Sequence, residues 1–132
     1  MKLKAVGYSL FLLVGFFIGL ATTSPTHAEL TGIWRTEPGE NGGFGDLQIY
    51  KCGQSYCGVV LKSYGAASFV KRGTRIIRGL KKNGTSYTGG EVYAVEFKMW
   101  MKLEIRETAT TAARAKACYA FICKSQNWTR LK

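Results

Sequence analysis

The sequence predicts an all-β fold, a small up-and-down antiparallel barrel preceded by an export signal. Residues 93–105 alternate between apolar and mostly charged side chains, which is typical of a strand with one buried face. The chain after residue 28 is rich in glycine and has no long amphipathic helical pattern. Trp34 near the start and Arg130 near the end can meet if the first and last strands pair and close the barrel.

The first 28 residues have the pattern of a signal peptide. Two lysines precede an uncharged, mostly apolar run over residues 5–21, and Pro25 ends that run. Thr26-His27-Ala28 then supplies the small residues that a signal peptidase requires, so we expect cleavage after Ala28. An uncleaved N-terminal anchor is the alternative. The mature chain, residues 29–132, would be a single domain in the periplasm or outside the cell.

Several short strands are expected along this mature chain. In chain order we predict a strand at 30–35, a loop at 37–43, a hairpin of 47–52 and 57–62, an irregular stretch at 63–84, the alternating run, and a last hairpin of 116–122 and 125–130. The alternating run is long for one strand, so we expect a bend, bulge or turn near Lys98–Met101. The Ala- and Thr-rich residues 108–116 predict a loop or a short helix.

Four cysteines form two pairs with the same spacing, Cys52/Cys57 and Cys118/Cys123. In an exported protein they predict two disulfides, for which three connectivities are possible. Four intervening residues fit a hairpin loop, which favours the local pairs 52–57 and 118–123, while 52–118 with 57–123 stays open. Four thiolates around zinc are a further alternative, but C-x2-C spacing is more usual there, so we expect no metal.

Positive charge dominates the mature chain. Residues 1–28 hold two of the 19 basic residues and none of the 8 acidic ones, which leaves 17 against 8, a net charge of +9. A basic patch with no acidic residue inside it consists of Lys71, Arg72, Arg75, Arg78, Lys81 and Lys82. It is interpreted either as a docking patch for an anionic envelope surface or as a solvated loop. Nucleic acid fits the charge, but an exported protein rarely meets it, so we expect no nucleic-acid partner.

Few catalytic groups are available. His27 is the single histidine and lies in the segment expected to be removed, which excludes Ser-His-Asp and Cys-His systems and histidine-ligated metals in the mature chain. Glu91 with Glu96 or Asp46 could supply the two facing carboxylates of a glycosidase, but solvent-facing strand charges are the simpler interpretation. The C-x4-C spacing also differs from the C-x2-C oxidoreductase motif. We therefore expect this protein to have no enzymatic activity and to bind no cofactor.

Two groups of residues are candidates for structural and binding roles. Gly32, Trp34, Trp128 and Arg130 are predicted to close one end of the barrel, with the Arg130 guanidinium over the Trp34 indole. A low-polarity ligand pocket is predicted from the alternating run, at Tyr93, Phe97, Met99 and Met101. The same side chains could instead fill a barrel this small. A cavity above about 300 Å³ would favour ligand binding.

Four stretches of the chain resemble the bacterial family called domain of unknown function 2147. They are Gly32–Arg35, Ile49–Val60, Gly89–Tyr93 and Cys118–Arg130, in the expected order. The resemblance implies a periplasmic or secreted protein with a lipocalin-like barrel, and it supplies a fold and a compartment more than an activity. The chain departs from the family pattern at residues 63–68, at residues 97–101 and at Ala117, where a glycine is common.

Two functions are consistent with these features. The first is an exported, non-enzymatic protein that binds a small hydrophobic or amphipathic ligand inside the barrel. The alternative is an envelope-associated interaction protein that docks an anionic surface or a protein partner through the basic patch. Contact with the membrane would then be peripheral or through the signal segment.

The cysteines give a first testable prediction. Protein taken from the periplasm should carry two disulfides, because export and hairpin spacing point the same way. Its intact mass without reductant should be about 4 Da below the reduced mass, since each disulfide removes two hydrogens. Four titratable thiols in this material would contradict the prediction.

Overall fold

The computed structural model describes residues 29–132, and the expected signal peptide lies outside these described residues. Eight antiparallel strands form a closed barrel in chain order, and the last strand pairs with the first, which confirms the predicted fold. The strands are β1 Gly32–Arg35, β2 Phe44–Cys52, β3 Ser55–Tyr64, β4 Arg75–Asn83, β5 Ser86–Ala94, β6 Met99–Ala109, β7 Ala112–Tyr119 and β8 Ile122–Arg130. Residues Gly65–Ala67 form a short 3-10 turn. Within residues 29–132, no helix is long and apolar enough to cross a membrane.

Two stretches are strands that the sequence did not predict. Residues 63–84 contain β4, whose alternation is interrupted at Gly79, a residue with a φ of 71°. Ile77 and Leu80 are therefore both buried although three positions separate them, which hides the period of two. The prediction of a loop or short helix at residues 108–116 is also wrong. These residues form the end of β6, a turn at 110–111 and most of β7. Ala113 faces the large Trp128 across the β7–β8 pair, so its small side chain serves packing.

The alternating run is divided by a turn at residues 95–98. This turn overlaps the break expected near Lys98–Met101 at Lys98. Across this turn Tyr93 pairs with Trp100 and Val92 pairs with Met101. Antiparallel partners share a face, so Met101 lies on the inner side with Val92 and not on the same side as Tyr93. The assumption that all odd-numbered residues of the run share one face is therefore wrong for Tyr93.

One end of the barrel is closed by Trp34 and Arg130. Trp34 is completely buried, and its indole nitrogen donates to the Leu30 carbonyl at 2.9 Å. The Arg130 guanidinium carbon lies 4.4 Å from the centre of the indole. Arg130 also donates to the carbonyls of Thr31 and Thr110, at 2.7 and 2.8 Å. The same side chain therefore joins the segment before β1, the β6–β7 turn and the end of β8.

Gly32 is required beside this arginine. Its φ of 138° lies in the region that side chains rarely adopt, and an added Cβ would lie 2.7 Å from Arg130 Nη1 and 2.5 Å from the Lys132 carbonyl oxygen. The spacing of Gly32 and Trp34 thus reflects the contact of both residues with the Arg130 guanidinium. Trp34 offers the ring, and Gly32 leaves room for the guanidinium that covers it. Trp128 is buried further along the same inner face of β8 as Arg130.

Both disulfides are local and hold hairpins at opposite ends of the barrel. Cys52–Cys57 joins β2 to β3 at the closed end, and Cys118–Cys123 joins β7 to β8 at the open end. All four cysteines of residues 29–132 are in these disulfides, so none is a thiolate that could ligate zinc as the alternative required.

The closed end predicts coupled stabilities. Trp34→Ala should lower the free energy of unfolding by about 3–5 kcal/mol, because it empties a fully buried volume. Arg130→Ala should cost at least about 2 kcal/mol, since it removes the ring contact and leaves backbone carbonyls without a donor. In urea denaturation the double variant should be less destabilised than the sum by about 1 kcal/mol or more. Additive losses would contradict the pairing, and exposed Arg106→Ala is the matched control, with little effect expected.

Candidate functional site

A cavity of about 210 Å³ lies inside the open half of the barrel, opposite Trp34 and Arg130. Its inner wall is mainly apolar and includes Val60, Val92, Met101, Leu103 and Trp128. The connections between strands at residues 36–43, 65–74 and 95–98 surround its mouth. The volume is below the value of about 300 Å³ expected above for a ligand-binding barrel, which is also the lower limit of the usual range of about 300–1,000 Å³ for drug-sized ligands. It exceeds an engineered cavity of about 150 Å³ in another protein that binds benzene.

Small residues on β7 leave this space open. Ala115 and Ala117 face inward and line the cavity, where larger side chains would fill it. Opposite them on β8 lie Gln126 and Lys124, which also line the cavity. The Gln126 side-chain oxygen accepts a hydrogen bond from the Trp128 indole nitrogen at 2.9 Å, so the polar atom of the buried Trp128 is satisfied.

The four predicted pocket residues have different positions. Met101 is buried and lines the inner wall, whereas Tyr93 and Phe97 border the mouth, with Phe97 half exposed. Met99 is not among the lining residues. Trp100 lies on the outer wall, with its ring 5.5 Å from that of Tyr93. Trp128, Ala115 and Ala117 also line the cavity, and they come from a different part of the chain.

Charges of both signs surround the mouth. Glu37 and Glu96 line it, and the Glu37 carboxylate accepts a hydrogen bond from the backbone amide of Asn127 at 2.7 Å. Lys124 donates to Glu40, which lowers the pKa of that carboxyl below its usual value and raises the pKa of the lysine. A polar group at the mouth can therefore meet either a carboxylate or an ammonium group.

The predicted basic patch does not form one compact cluster. Lys71, Arg72 and Arg75 lie at the open end, while Arg78 is on the wall and Lys81 is nearer the closed end. Arg78 donates to Glu91 at 2.8 Å and covers the Trp100 ring at 3.7 Å. Lys82 donates to the Tyr87 hydroxyl at 3.2 Å, a bond that raises the lysine pKa. The patch follows the length of β4, and part of it is engaged in the wall.

A second set of polar contacts holds the outer wall near the open end. Arg35 donates two hydrogen bonds to Asp46, at 2.8 and 3.0 Å, and the Tyr64 hydroxyl donates a third at 2.9 Å. The Arg35 hydrogen bonds are the main reason why the pKa of Asp46 is lowered. The Phe44 and Tyr64 rings stack at 4.6 Å beside this pair. The Asp46 carboxylate is therefore fully engaged by Arg35 and Tyr64. It does not face Glu91, which binds Arg78.

Comparison with known proteins identifies the family. The family described as "Uncharacterized protein conserved in bacteria (DUF2147)" matches residues 32–130. The chain belongs to this family. Among solved structures, the DUF2147 chain is similar to the Helicobacter pylori protein HP1028, which is described as belonging to the lipocalin family. The TM-score is 0.67 at 15% sequence identity, covering 80% of this chain and 84% of HP1028.

At that identity the likeness establishes the fold, and the DUF2147 barrel is lipocalin-like. No curated protein sequence matches this chain. The family and the lipocalin-like barrel implied by the sequence motifs are confirmed.

Sequence reasoning missed several residues around the site. Phe69 and Phe121 are highly exposed at the open end, and Gln126 supports Trp128 inside it. Phe69 lies in a stretch without periodicity, so its exposure had no signal in the pattern. Phe121 was placed inside the strand predicted at 116–122, and that prediction is wrong, because the chain turns at Ala120 and Phe121 between β7 and β8. The alanines of β7 had a weak signal, because their alternation with Arg114 and Lys116 has the period of a strand.

The Asp46 contacts predict a pH dependence. The lowered pKa of the folded state means that Asp46 stabilises this DUF2147 barrel fully above about pH 4 and loses that effect as the pH falls through the lowered value. Asp46→Asn should therefore cost about 1–3 kcal/mol at neutral pH, and the difference from wild type should shrink in acid. Urea denaturation across pH measures this, with Glu96→Gln as an exposed control. A difference that grows as the pH falls would contradict the assignment.

Proposed function

We propose that this protein is an exported, non-enzymatic binding protein that takes the apolar part of a small hydrophobic or amphipathic ligand into the open end of its barrel. The observation that carries the proposal is the cavity of about 210 Å³, lined mainly by apolar side chains and open at the end opposite Trp34. Burial of apolar surface would drive binding there.

The size of the cavity limits the ligand. It suits a ring-sized molecule or the end of a longer chain whose remaining part stays at the mouth. Glu37, Glu96 and Lys124 at the mouth can hold a polar group there, while Val60 and Leu103 contact the apolar part. An amphipathic ligand uses both regions, so we favour one with a short apolar portion.

Several observations support export and the absence of catalysis. The two disulfides are stable in oxidising compartments, and the chain begins with a signal-like segment. Of the carboxylates weighed for hydrolysis, Asp46 binds Arg35 and Glu91 binds Arg78, whereas Glu96 lines the mouth of the cavity. Neither Asp46 nor Glu91 lines the cavity, so neither opposes Glu96 across it as a second catalytic acid would need to. We therefore propose that cleavage follows Ala28 and that residues 29–132 act by binding.

An NMR titration of periplasmic protein with benzene and with 1-octanol tests the pocket. Saturable shifts should appear at Ala115, Ala117 and the Trp128 indole, with dissociation constants on the order of 0.1–1 mM. Ala117→Phe should weaken binding at least about tenfold, because the added ring occupies the cavity. The matched control is Ser125→Phe, which adds a ring to the exposed outer face of β8 and should leave affinity unchanged.

Shifts that spread over the surface without saturation would contradict the proposal, as would equal affinity in Ala117→Phe. Native mass spectrometry of protein purified from its own host supplies a second measurement. A retained small molecule that the Ala117→Phe variant lacks would support the pocket as its binding site.

A further inference from the structure

Large apolar side chains are exposed mainly at the open end of the barrel. Phe121 is 90% exposed, Phe69 67%, Ile122 59%, Tyr119 55% and Phe97 52%. Among residues 29–132, Leu131 is the one other large hydrophobic side chain that is exposed to this degree, and it lies at the closed end. The five lie in or directly beside three separate connections between strands, so one packing defect does not explain them. Exposed apolar side chains gathered in one region often mark an interaction surface.

Two of these phenylalanines lie next to turn residues with a strained backbone. In the described part of the chain, two non-glycine residues have a φ in the left-handed region, Lys98 at 54° and Ala120 at 57°. Lys98 follows Phe97, and Ala120 precedes Phe121. At the closed end the β4–β5 turn instead places Gly84 at its left-handed position. Strained residues of this kind tend to occur at functional surfaces.

The disulfide Cys118–Cys123 fixes the tip that carries Phe121. The two cysteines are cross-strand partners, and the next pair toward the tip is Tyr119 with Ile122, which leaves Ala120 and Phe121 as the two-residue turn. The disulfide therefore restrains the backbone of the turn that carries Phe121.

Basic side chains accompany these rings. Exposed Lys71 and Arg72 follow Phe69 in the connection from β3 to β4, which contains no acidic residue, and exposed Lys98 follows Phe97. The acidic residues near this end are Glu37, Glu40, Asp46 and Glu96. Glu40 is bound to Lys124, Asp46 to Arg35 and Glu37 to the Asn127 backbone amide, while Glu96 is exposed beside Phe97. Lys71 and Arg72 have no acidic neighbour within the 65–74 connection, and both are exposed, with the Arg72 guanidinium donating to the Leu61 carbonyl at 3.4 Å.

We propose that this rim, consisting of Phe69, Phe97, Phe121, Lys71, Arg72 and Lys98, docks the protein onto an anionic lipid bilayer. Aromatic rings are favoured in the headgroup region, and Lys and Arg are attracted to anionic headgroups. Contact between the rims of two copies would instead place Lys71 and Arg72 against like charges. Docking goes beyond ligand binding in the barrel and does not require an occupied cavity, although it would turn the cavity mouth toward the lipid.

Flotation with vesicles tests the rim. Protein from the periplasm should bind vesicles of phosphatidylcholine mixed with phosphatidylglycerol much more strongly than vesicles of phosphatidylcholine alone, and added salt should weaken binding. Lys71→Glu with Arg72→Glu should lower the partition coefficient about tenfold or more, and Phe121→Ser about fivefold. All variants share the same N-terminus, so any effect of a retained signal segment is equal in them.

Matched controls lie at the closed end. Lys81→Glu with Lys132→Glu makes the same change of charge, and Leu131→Ser makes a similar apolar-to-polar change. Both should bind as the wild type does. If Lys81→Glu with Lys132→Glu weakens binding as much as the rim variants do, total charge governs binding and the rim proposal is overturned.

Insertion of the tip can be measured separately. Tryptophan introduced as Phe121→Trp should be quenched by brominated lipids, whereas Leu131→Trp should give no quenching beyond that of the native tryptophans. Equal quenching at both positions, or vesicle binding that ignores phosphatidylglycerol, would overturn the proposal. So would a change in the sedimentation-equilibrium mass caused by Phe121→Ser, which would identify the rim as a contact between copies.

The proposed ligand pocket and the proposed docking rim are tested by different assays, so the failure of one can be told from the failure of the other. Loss of benzene and octanol binding would contradict the proposed ligand pocket while the vesicle results stand. Lys71→Glu with Arg72→Glu should leave benzene binding unchanged, because neither residue lines the cavity.

Discussion

The contact between Arg130 and Trp34 is the interaction on which the closed barrel depends. Arg130 ends β8, yet its guanidinium covers a ring of β1 and donates to carbonyls before β1 and in the β6–β7 turn. It also lies 3.4 Å from Glu107, whose side chain is 5% exposed. The planar guanidinium can stack through its face while its edge donates hydrogen bonds, which an ammonium group could not reproduce. One side chain thus joins the first and last strands of the sheet.

Closing one end in this way makes the two ends of the barrel different. Trp34 and Leu30 fill the closed end with fully buried side chains, whereas Ala115 and Ala117 leave space at the other. The closed end can therefore support stability without affecting the mouth. The open end keeps the features that cost stability, namely an unfilled cavity, exposed rings and left-handed non-glycine residues. This division is the physical basis for placing both proposed binding roles at one end.

The position of a charge matters more here than the total charge. Arg35 and Arg78 contribute to the net charge, but each binds a carboxylate and covers an aromatic ring on the outer wall. The basic residues of the 65–74 connection are not engaged in such wall contacts with acidic residues, so they remain able to meet an external anion. A run of basic residues in the sequence could not distinguish these two groups, because the distinction depends on which cross-strand partner each side chain meets.

The sequence by itself determined the strand class, the barrel closure, the cysteine spacing that fits two hairpins, and the family. These are recorded locally, in alternation, turn residues and short motifs such as Gly32 and Trp34. The tertiary structure decided what depends on register: that β4 continues through the irregularity at Gly79, that alanines form a strand opposite Trp128, and that Tyr93 lies on the other face from Met101. Register follows from pairing between distant residues, and a one-residue shift reverses every face, so no local pattern could supply it.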